Sequence, residues 1–348
     1  MPIFDAHLDL AYLVEKGRDM HADPDHCRGT LLPASVTLPS LIEGGVTHCL
    51  ATVFTEGTED AVSVEGPFMY QAGDADAAHA AGMRQLMLYE SWHRAGAIGF
   101  FGDDPSTDGA APPISVGILI ENADPVRTVE ELDDWVHRGV VAVGLSWATQ
   151  GRYAAGNGVD PDLGKGLTDE GREMVRALGD RGVVLDLSHL SQRATGETLE
   201  LATGPLVATH SNCRALFVPD GEPGKLNKRT QRHISDETIV EIGRRGGVVG
   251  LNLLSDFLED GLRRGDRAGF EHCVRHVEHV CGVMGHRNGV GLGTDMDGGF
   301  GADRLPAGID RPADLIKLCE ALSARGWSDD EVGGFAYGNW ARVFGLDD

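Results

Sequence analysis

No apolar run in the chain approaches the ~18 residues that a membrane-spanning helix requires. The opening residues, Met1-Pro2-Ile3-Phe4-Asp5, show no basic stretch followed by an apolar segment, so no secretory signal is expected. Cysteine is sparse: six residues, at 27, 49, 213, 273, 281 and 319, with no C-x-x-C pair. That pattern argues against a disulfide framework and makes a cytoplasmic chain with free thiols the expectation. Basic residues are also short. Lys+Arg number 30 against 54 Asp+Glu, a formal charge of −24. A nucleic-acid partner needs a basic face to neutralise phosphates, and an anionic membrane surface makes the same demand, so neither is expected. What remains is ordinary for a globular protein of 348 residues: 41% hydrophobic and 24% charged, which argues against disorder. Glycine is plentiful, 48 residues, about twice the usual ~7%, so many turns are expected.

One unit recurs along the chain. A helix-like stretch ends in Arg, then Gly, then a β-branched run: Arg138-Gly139-Val140-Val141, Arg181-Gly182-Val183-Val184 and Arg245-Gly246-Gly247-Val248-Val249, with a looser copy at Glu43-Gly44-Gly45-Val46. Arg suits the negative end of a helix, Gly supplies the left-handed residue that stops it, and the valines begin a buried strand. Eight strands are expected, at about 2–8, 46–54, 114–120, 140–146, 183–188, 205–209, 247–252 and 289–294. Thr168 and Ser235 are expected to cap two of the intervening helices. Alternating strands and helices predict an α/β chain folded as one (β/α)8 TIM barrel spanning residues 1–348, with long active-face loops at about 55–70, 102–113 and 211–234. The alternative, an open doubly wound sheet, lacks a G-x-G-x-x-G after its first strand.

Barrel enzymes place their chemistry at the C-terminal ends of the strands. Strand one ends in Asp5-Ala6-His7-Leu8-Asp9, and alternation turns His7 and Asp9 to one side. Strand three ends in Glu121, strand five in Asp186-Leu187-Ser188-His189, strand six in Thr209-His210-Ser211-Asn212, and strand eight in Thr294-Asp295-Met296-Asp297. Three histidines and three carboxylates converge on one rim: His7, His189, His210, Asp9, Glu121 and Asp295. Such a set suits Zn²⁺ or a similar ion. Six ligands exceed what one tetrahedral ion with an open site needs, and fit two metals sharing a carboxylate. Asp186 could bind metal or orient a ligand histidine. His272, His276 and His279 recur at helical spacing without H-E-x-x-H, and read as a solvated helix face; His79 and His93 read the same way.

These strings resemble the membrane dipeptidase (renal dipeptidase) family of zinc peptidases, within the amidohydrolase-like barrels. Its D-G-H-x-D is close to Asp5–Asp9, and its G-L-T-x-x-G to Gly166–Gly171. Its D-x-S-H-x-S matches Asp186–Ser191, its H-S-(N/S) matches His210-Ser211-Asn212, and its G-x-G-x-D-x-D-G matches Gly291–Gly298. The C-terminal G-N-x-x-R-V-F matches Gly338–Phe344. The resemblance implies a metal-dependent dipeptidase with two Zn²⁺ per chain: His7 and Asp9 on one, His189 and His210 on the other, Glu121 bridging. A hydroxide held by the metals would attack the peptide carbonyl, with Asp295 relaying the proton; Asp297 is the other carboxylate in that motif. It also implies an Arg after strand six that holds the substrate carboxylate, for which Arg232 is the best match, and dimerisation, since family members are often dimers.

One departure stands out. The family has L-T-H after strand four, where this chain reads Leu145-Ser146-Trp147. An indole N–H donates one hydrogen bond but cannot become a cation. The change leaves Trp147 a wall residue of the substrate site or shifts the substrate class: a dipeptide with a D-residue, an N-acyl amino acid or another small amide. Arg152, Tyr153 and Gln150 lie near enough in sequence to supply the donor. A non-catalytic metal-binding homologue is the remaining reading. The basic residues Lys225, Lys228 and Arg229 are expected to form a local positive patch.

Overall fold

Eight short β-branched segments form the frame: β1 (Ile3–Leu8), β2 (Val46–Val53), β3 (Ser115–Ile120), β4 (Val140–Gly144), β5 (Val184–Asp186), β6 (Leu206–Val207), β7 (Val249–Leu251) and β8 (Val290–Leu292). They were traced in a computed structural model that describes residues 1–59, 66–103, 112–263 and 265–346. All eight pair in parallel, in the order β7-β8-β1-β2-β3-β4-β5-β6. A parallel bridge between Ala208 and Val249 closes the ring, helped by the Gly250 N–H donating to the Ala208 carbonyl at 2.8 Å. The barrel expectation therefore holds, and every expected strand contains an observed one. Six of the eight end earlier than expected, while β1 and β3 end at Leu8 and Ile120 as expected.

The chain-reversal units behave as their chemistry dictates. Gly139, Gly182 and Gly246 all take left-handed φ, at 100°, 67° and 73°. Thr168 accepts from the Gly171 N–H ahead of helix Asp169–Asp180, and Ser235 accepts from the Thr238 N–H ahead of helix Asp236–Arg244. Phe4, Leu50, Leu119, Val184, Val207 and Val248 fill the barrel interior together with Trp340 from the C-terminal helix Asn339–Phe344. The C-terminal motif is thus a floor. Trp340 Nε1 donates to the Leu292 carbonyl at 2.8 Å, and Asn339 Nδ2 donates to the Val290 carbonyl at 2.8 Å. Where β6, β7 and β8 converge the approach is tight: a Cβ on Gly250 or Gly293 would lie 1.8 or 1.7 Å from the Thr209 carbonyl oxygen. Only glycine leaves that room.

Of the expected long loops, 60–65 and 104–111 lie outside the described residues. What is described of the first holds two short strands, Glu56–Thr58 and Met69–Gln71, paired in parallel. The loop 211–234 is ordered by its own bonds, including the Ile234 N–H to the Asn212 carbonyl at 3.0 Å. Its basic residues do not form a positive patch. Lys225 pairs with Asp220 and Glu222, Lys228 with Asp160, and Arg229 with Asp260. Each cation has its own carboxylate, so their fields cancel locally.

The helical histidines need a second correction. His272 and His279 stay partly exposed on helix Phe270–Met284, but His276 is 1% exposed. Its Nδ1 accepts from the Cys213 N–H at 3.1 Å, and its Nε2 lies 3.1 Å from the Leu258 carbonyl, so the ring is held neutral with the proton on Nε2. Burial drives its pKa down to about 3, from 6.5. Between those values the unfolded chain binds a proton that the folded chain refuses. Stability therefore falls as pH drops from about 6.5 towards 3, by up to ~1.4 kcal/mol per pH unit from this group. His276→Gln can keep both hydrogen bonds and does not titrate. Denaturant unfolding across that window is expected to show a shallower pH slope in the variant.

Candidate active site

The eight residues singled out in the sequence meet at the C-terminal mouth of the barrel. Glu121, at the end of β3, is the hub. Its Oε1 lies 3.2 Å from His189 Nε2 and 3.6 Å from both His7 Nε2 and His210 Nε2. His189 and His210 face each other through their Nε2 atoms at 2.9 Å, and the rings of His7 and His210 stack at 3.5 Å. Asp9 follows β1 as the alternation predicts: its Oδ1 is 3.7 Å from His7 Nε2 and accepts from the Thr52 hydroxyl. Two groups of three bring their ligand atoms within 4.8 Å of one another, His7–Glu121–His210 and His7–Asp9–Asp295.

The backbone is bent to achieve this. Among the described residues, five other than glycine have left-handed φ, and His189 (65°) and Asp295 (58°) are two of them. Such conformations cost ~1–3 kcal/mol each and persist where the surroundings enforce them.

Two matched clamps do much of the enforcing. Asp186 Oδ1 accepts from the Thr209 N–H at 2.9 Å and Oδ2 from the Thr209 hydroxyl at 2.6 Å. The Ser188 N–H adds a third bond at 3.0 Å. Asp5 repeats the arrangement on Thr294: N–H to Oδ1 at 2.9 Å, hydroxyl to Oδ2 at 2.6 Å, with the His7 N–H at 3.3 Å. Each clamped threonine immediately precedes a site residue, His210 or Asp295. The Thr209 hydroxyl, having given its proton to Asp186, accepts from His210 Nδ1 at 2.9 Å and leaves Nε2 unprotonated towards the site. Asn157 Oδ1, 2.9 Å from His189 Nδ1, fixes that ring in the same sense. Asp186 thus orients a histidine, its oxygens being taken. Sequence reasoning passed over Asp5, Thr209, Thr294 and Asn157 as functional. The local signal was the placing of Asp5 before His7 and Asp186 before His189; the threonine partners lie on other segments.

Asp297 is resolved too. Its Oδ2 pairs with Arg18 Nη1 at 2.5 Å and accepts from the Ser35 and Val36 N–H groups, which leaves Asp295 as the carboxylate at the site. Asp295 Oδ2 accepts from Asn252 Nδ2 at 2.8 Å. A Cβ on Gly298 would fall 1.8 Å from Asp295 Oδ1, so that glycine makes the room the carboxylate occupies.

Burial governs the electrostatics. It pushes the carboxyls of Asp9, Glu121 and Asp295 upward and holds the imidazoles of His189 and His210 well below their usual range. Arg232 is also buried, at 5% exposure, and its charge acts on Glu121 and Asp295. Its Nη2 donates to the His210 carbonyl at 2.8 Å, its Nη1 to the Ser211 hydroxyl at 3.1 Å, and its guanidinium lies 5.3 Å from the Phe257 ring. Three crowded carboxylates with one nearby guanidinium call for further positive charge. His7 Nε2 and Glu121 Oε2 are buried without a hydrogen-bond partner. Neutral imidazoles, carboxylates and orphaned lone pairs fit a divalent ion of the zinc type.

The cavity above this cluster measures about 370 Å³. Trp147 is in its wall, 5.9 Å from the His189 ring. Gln150 and Arg152 line a different crevice beside Tyr70 and Asp124, and Tyr153 spends its hydroxyl on the Val126 carbonyl. None of the three is among the residues that line the cavity with Trp147.

A closed parallel barrel carrying histidines and carboxylates on its C-terminal rim has the layout of a metal-dependent hydrolase. The comparison with known proteins narrows the class. The membrane dipeptidase family (peptidase family M19) matches residues 1–346, and the chain belongs to that family, one of metallo-dipeptidases that hydrolyse peptide bonds. It is 32% identical over 217 residues to an uncharacterized protein in the pqqA 5′ region of Klebsiella pneumoniae, covering 61% of this chain and 74% of that protein. It is 30% identical over 179 residues to Dipeptidase 3 of Mus musculus, 51% of this chain and 32% of that protein. Its fold matches a metallo peptidase from Rhodobacter sphaeroides, solved with a phosphinate mimic of the dipeptide L-Ala-D-Ala. The TM-score is 0.76 at 23% identity, over 100% of this chain and 99% of that one.

Proposed function

We propose that the chain is a dinuclear zinc dipeptidase that cleaves free dipeptides, including those with a D-residue at the C-terminal position. The observation that carries this reading is the single Glu121 oxygen set within 3.6 Å of three imidazole nitrogens, beside the His7–Asp9–Asp295 group. His7 and Asp9 would hold one ion, His189 and His210 the other, and Glu121 both. Bound there, the ions supply a water nucleophile at neutral pH and polarise the scissile carbonyl. The protein's own groups do the rest. Asp295, fixed by Asn252, takes the proton released by the attacking water and delivers it to the leaving amine. Arg232 binds the substrate's terminal carboxylate: it is buried, anchored by two of its nitrogens, and its Nε lacks a partner. Trp147 acts as a wall. The mimic held by the Rhodobacter protein motivates including the D-residue.

The experiment is a panel of L,L and L,D dipeptides, their C-terminal amides and tripeptides. Dipeptides are expected to be cleaved and amides spared. Arg232→Met should raise KM for dipeptides by ~100-fold, the scale of a lost charged hydrogen-bonded pair. Equal cleavage of acid and amide would remove Arg232 from its role, and a panel without product would overturn the dipeptidase reading. The clamps make a separate prediction. Asp186→Asn and Asp5→Asn should each weaken metal retention by ~10–100-fold, read by competition with a chelator, while the far-UV circular dichroism stays unchanged. Undiminished retention in both would confine the clamps to the fold.

A further inference from the structure

Four aromatic rings form a continuous edge-to-face array on one side of the cavity. Trp147 meets Phe54 at 5.2 Å and 76°, Phe54 meets Tyr12 at 5.3 Å and 87°, and Tyr12 meets Phe68 at 4.9 Å and 82°. The array starts beside the His189 ring, 5.9 Å from Trp147. At its outer end Lys16 Nζ lies 5.3 Å above Phe68 and 5.8 Å above Tyr12. All four rings line the cavity over the metal-site cluster. Edge-to-face packing holds such rings in fixed positions, so they form a preformed apolar surface.

The barrel order says which part of a dipeptide would lie there. Tyr12 follows β1, Phe54 and Phe68 follow β2, and Trp147 follows β4. Arg232 and the Phe257 ring beneath it follow β6 and β7, across the ring. A dipeptide whose carboxylate rests on Arg232 and whose peptide bond lies over Glu121 must extend its N-terminal residue towards the β1–β4 arc. A peptide backbone gains little from four aromatic faces, whereas a large apolar side chain gains its whole buried area.

We infer that the array of Tyr12, Phe54, Phe68 and Trp147 is the specificity pocket for the N-terminal side chain, and that the preferred substrates are dipeptides with a bulky apolar or aromatic N-terminal residue. This rests on the dipeptidase reading for the identity of the substrate. A cavity of about 370 Å³ lies near the lower end of the ~300–1,000 Å³ typical of small-molecule sites, which suits one large side chain and a small second residue.

The test measures kcat/KM on metal-reconstituted protein for X-D-Ala and X-L-Ala, with X as Gly, Ala, Leu and Phe. Binding of the same peptides is followed by calorimetry. The expected result is a rise of ~30-fold or more from Gly to Phe, mainly through KM, since single methylenes in an apolar pocket already discriminate ~10–200-fold. Phe54→Ala and the half-buried Trp147→Ala should each cut the Phe-to-Gly ratio to ~3-fold or less, a change in ratio that loss of folded protein does not produce. A ratio near one in the parent, or one that neither variant alters, overturns the inference. A panel that binds in the expected order without turnover would sink the dipeptidase reading and leave the pocket standing; binding that is flat across X would sink the pocket.

Discussion

Asp295→Asn is expected to lower kcat by ~10²–10⁴-fold, the range a positioned proton-transfer group contributes, with KM and metal content little changed. The substitution is close to isosteric. Asparagine tolerates left-handed backbone, so φ of 58° at this position is not a new strain. Its amide oxygen can still accept from Asn252 Nδ2, and Gly298 still leaves the space. What is lost is a carboxylate that can take a proton and return it. In the metal-free protein, burial, with Asp9 and Glu121 alongside, raises the pKa of that group to about 7. Steady-state kinetics and elemental analysis on one preparation separate the two outcomes. A variant that keeps activity within ~3-fold would remove Asp295 from the proton path, and a variant that loses its metal would recast it as a ligand.

Glu121→Gln should have the larger structural consequence. It turns the carboxylate whose Oε1 faces His7, His189 and His210 together into an uncharged amide with a single, weaker ligand oxygen. Metal content is expected to collapse and activity to fall by ~10³-fold or more, equivalent to ~4 kcal/mol of lost transition-state stabilisation. Stability should move the other way. In the metal-free protein the buried Glu121 carboxyl is so poorly solvated that its pKa is pushed up to about 8. A neutral amide of the same shape removes that desolvation cost. The metal-free variant should therefore melt no lower than the metal-free parent, yet show no rise in Tm when zinc is added, where the parent shows a clear one. A variant that still responds to zinc like the parent would mean that the two half-sites hold metal without a shared ligand.

Most of the frame was legible because barrel strands are buried on both faces and announce themselves as valine-rich runs between Gly stops. The rim residues were legible for a related reason: a polar residue that ends such a run has to face the mouth. Sequence could not tell which carboxylates would be free. Asp186 and Asp9 look alike on paper, and only the bonds from Thr209 and Ser188 show that Asp186 is saturated. Asp5 escaped notice because its partner, Thr294, is 289 residues away. Asp295 was preferred to Asp297 because it sits nearer the strand end, and the bond that withdraws Asp297 from the site comes from Arg18, distant in sequence. His276 was misread because its helix presents histidines to solvent on one side and packs this one against the loop after β6. The basic residues of 225–229 were misread because their partners include Asp160 and Asp260, on other segments. In each case the missing information was a tertiary contact rather than a local preference.

Metal per chain and chelator-sensitive dipeptide cleavage, measured on one purified sample, test the central claim most directly. The account predicts two zinc ions per chain, product release from dipeptides that stops with chelator, and recovery on adding zinc back. A chain that binds no metal after reconstitution, or that cleaves dipeptides equally well with its metal removed, would contradict it.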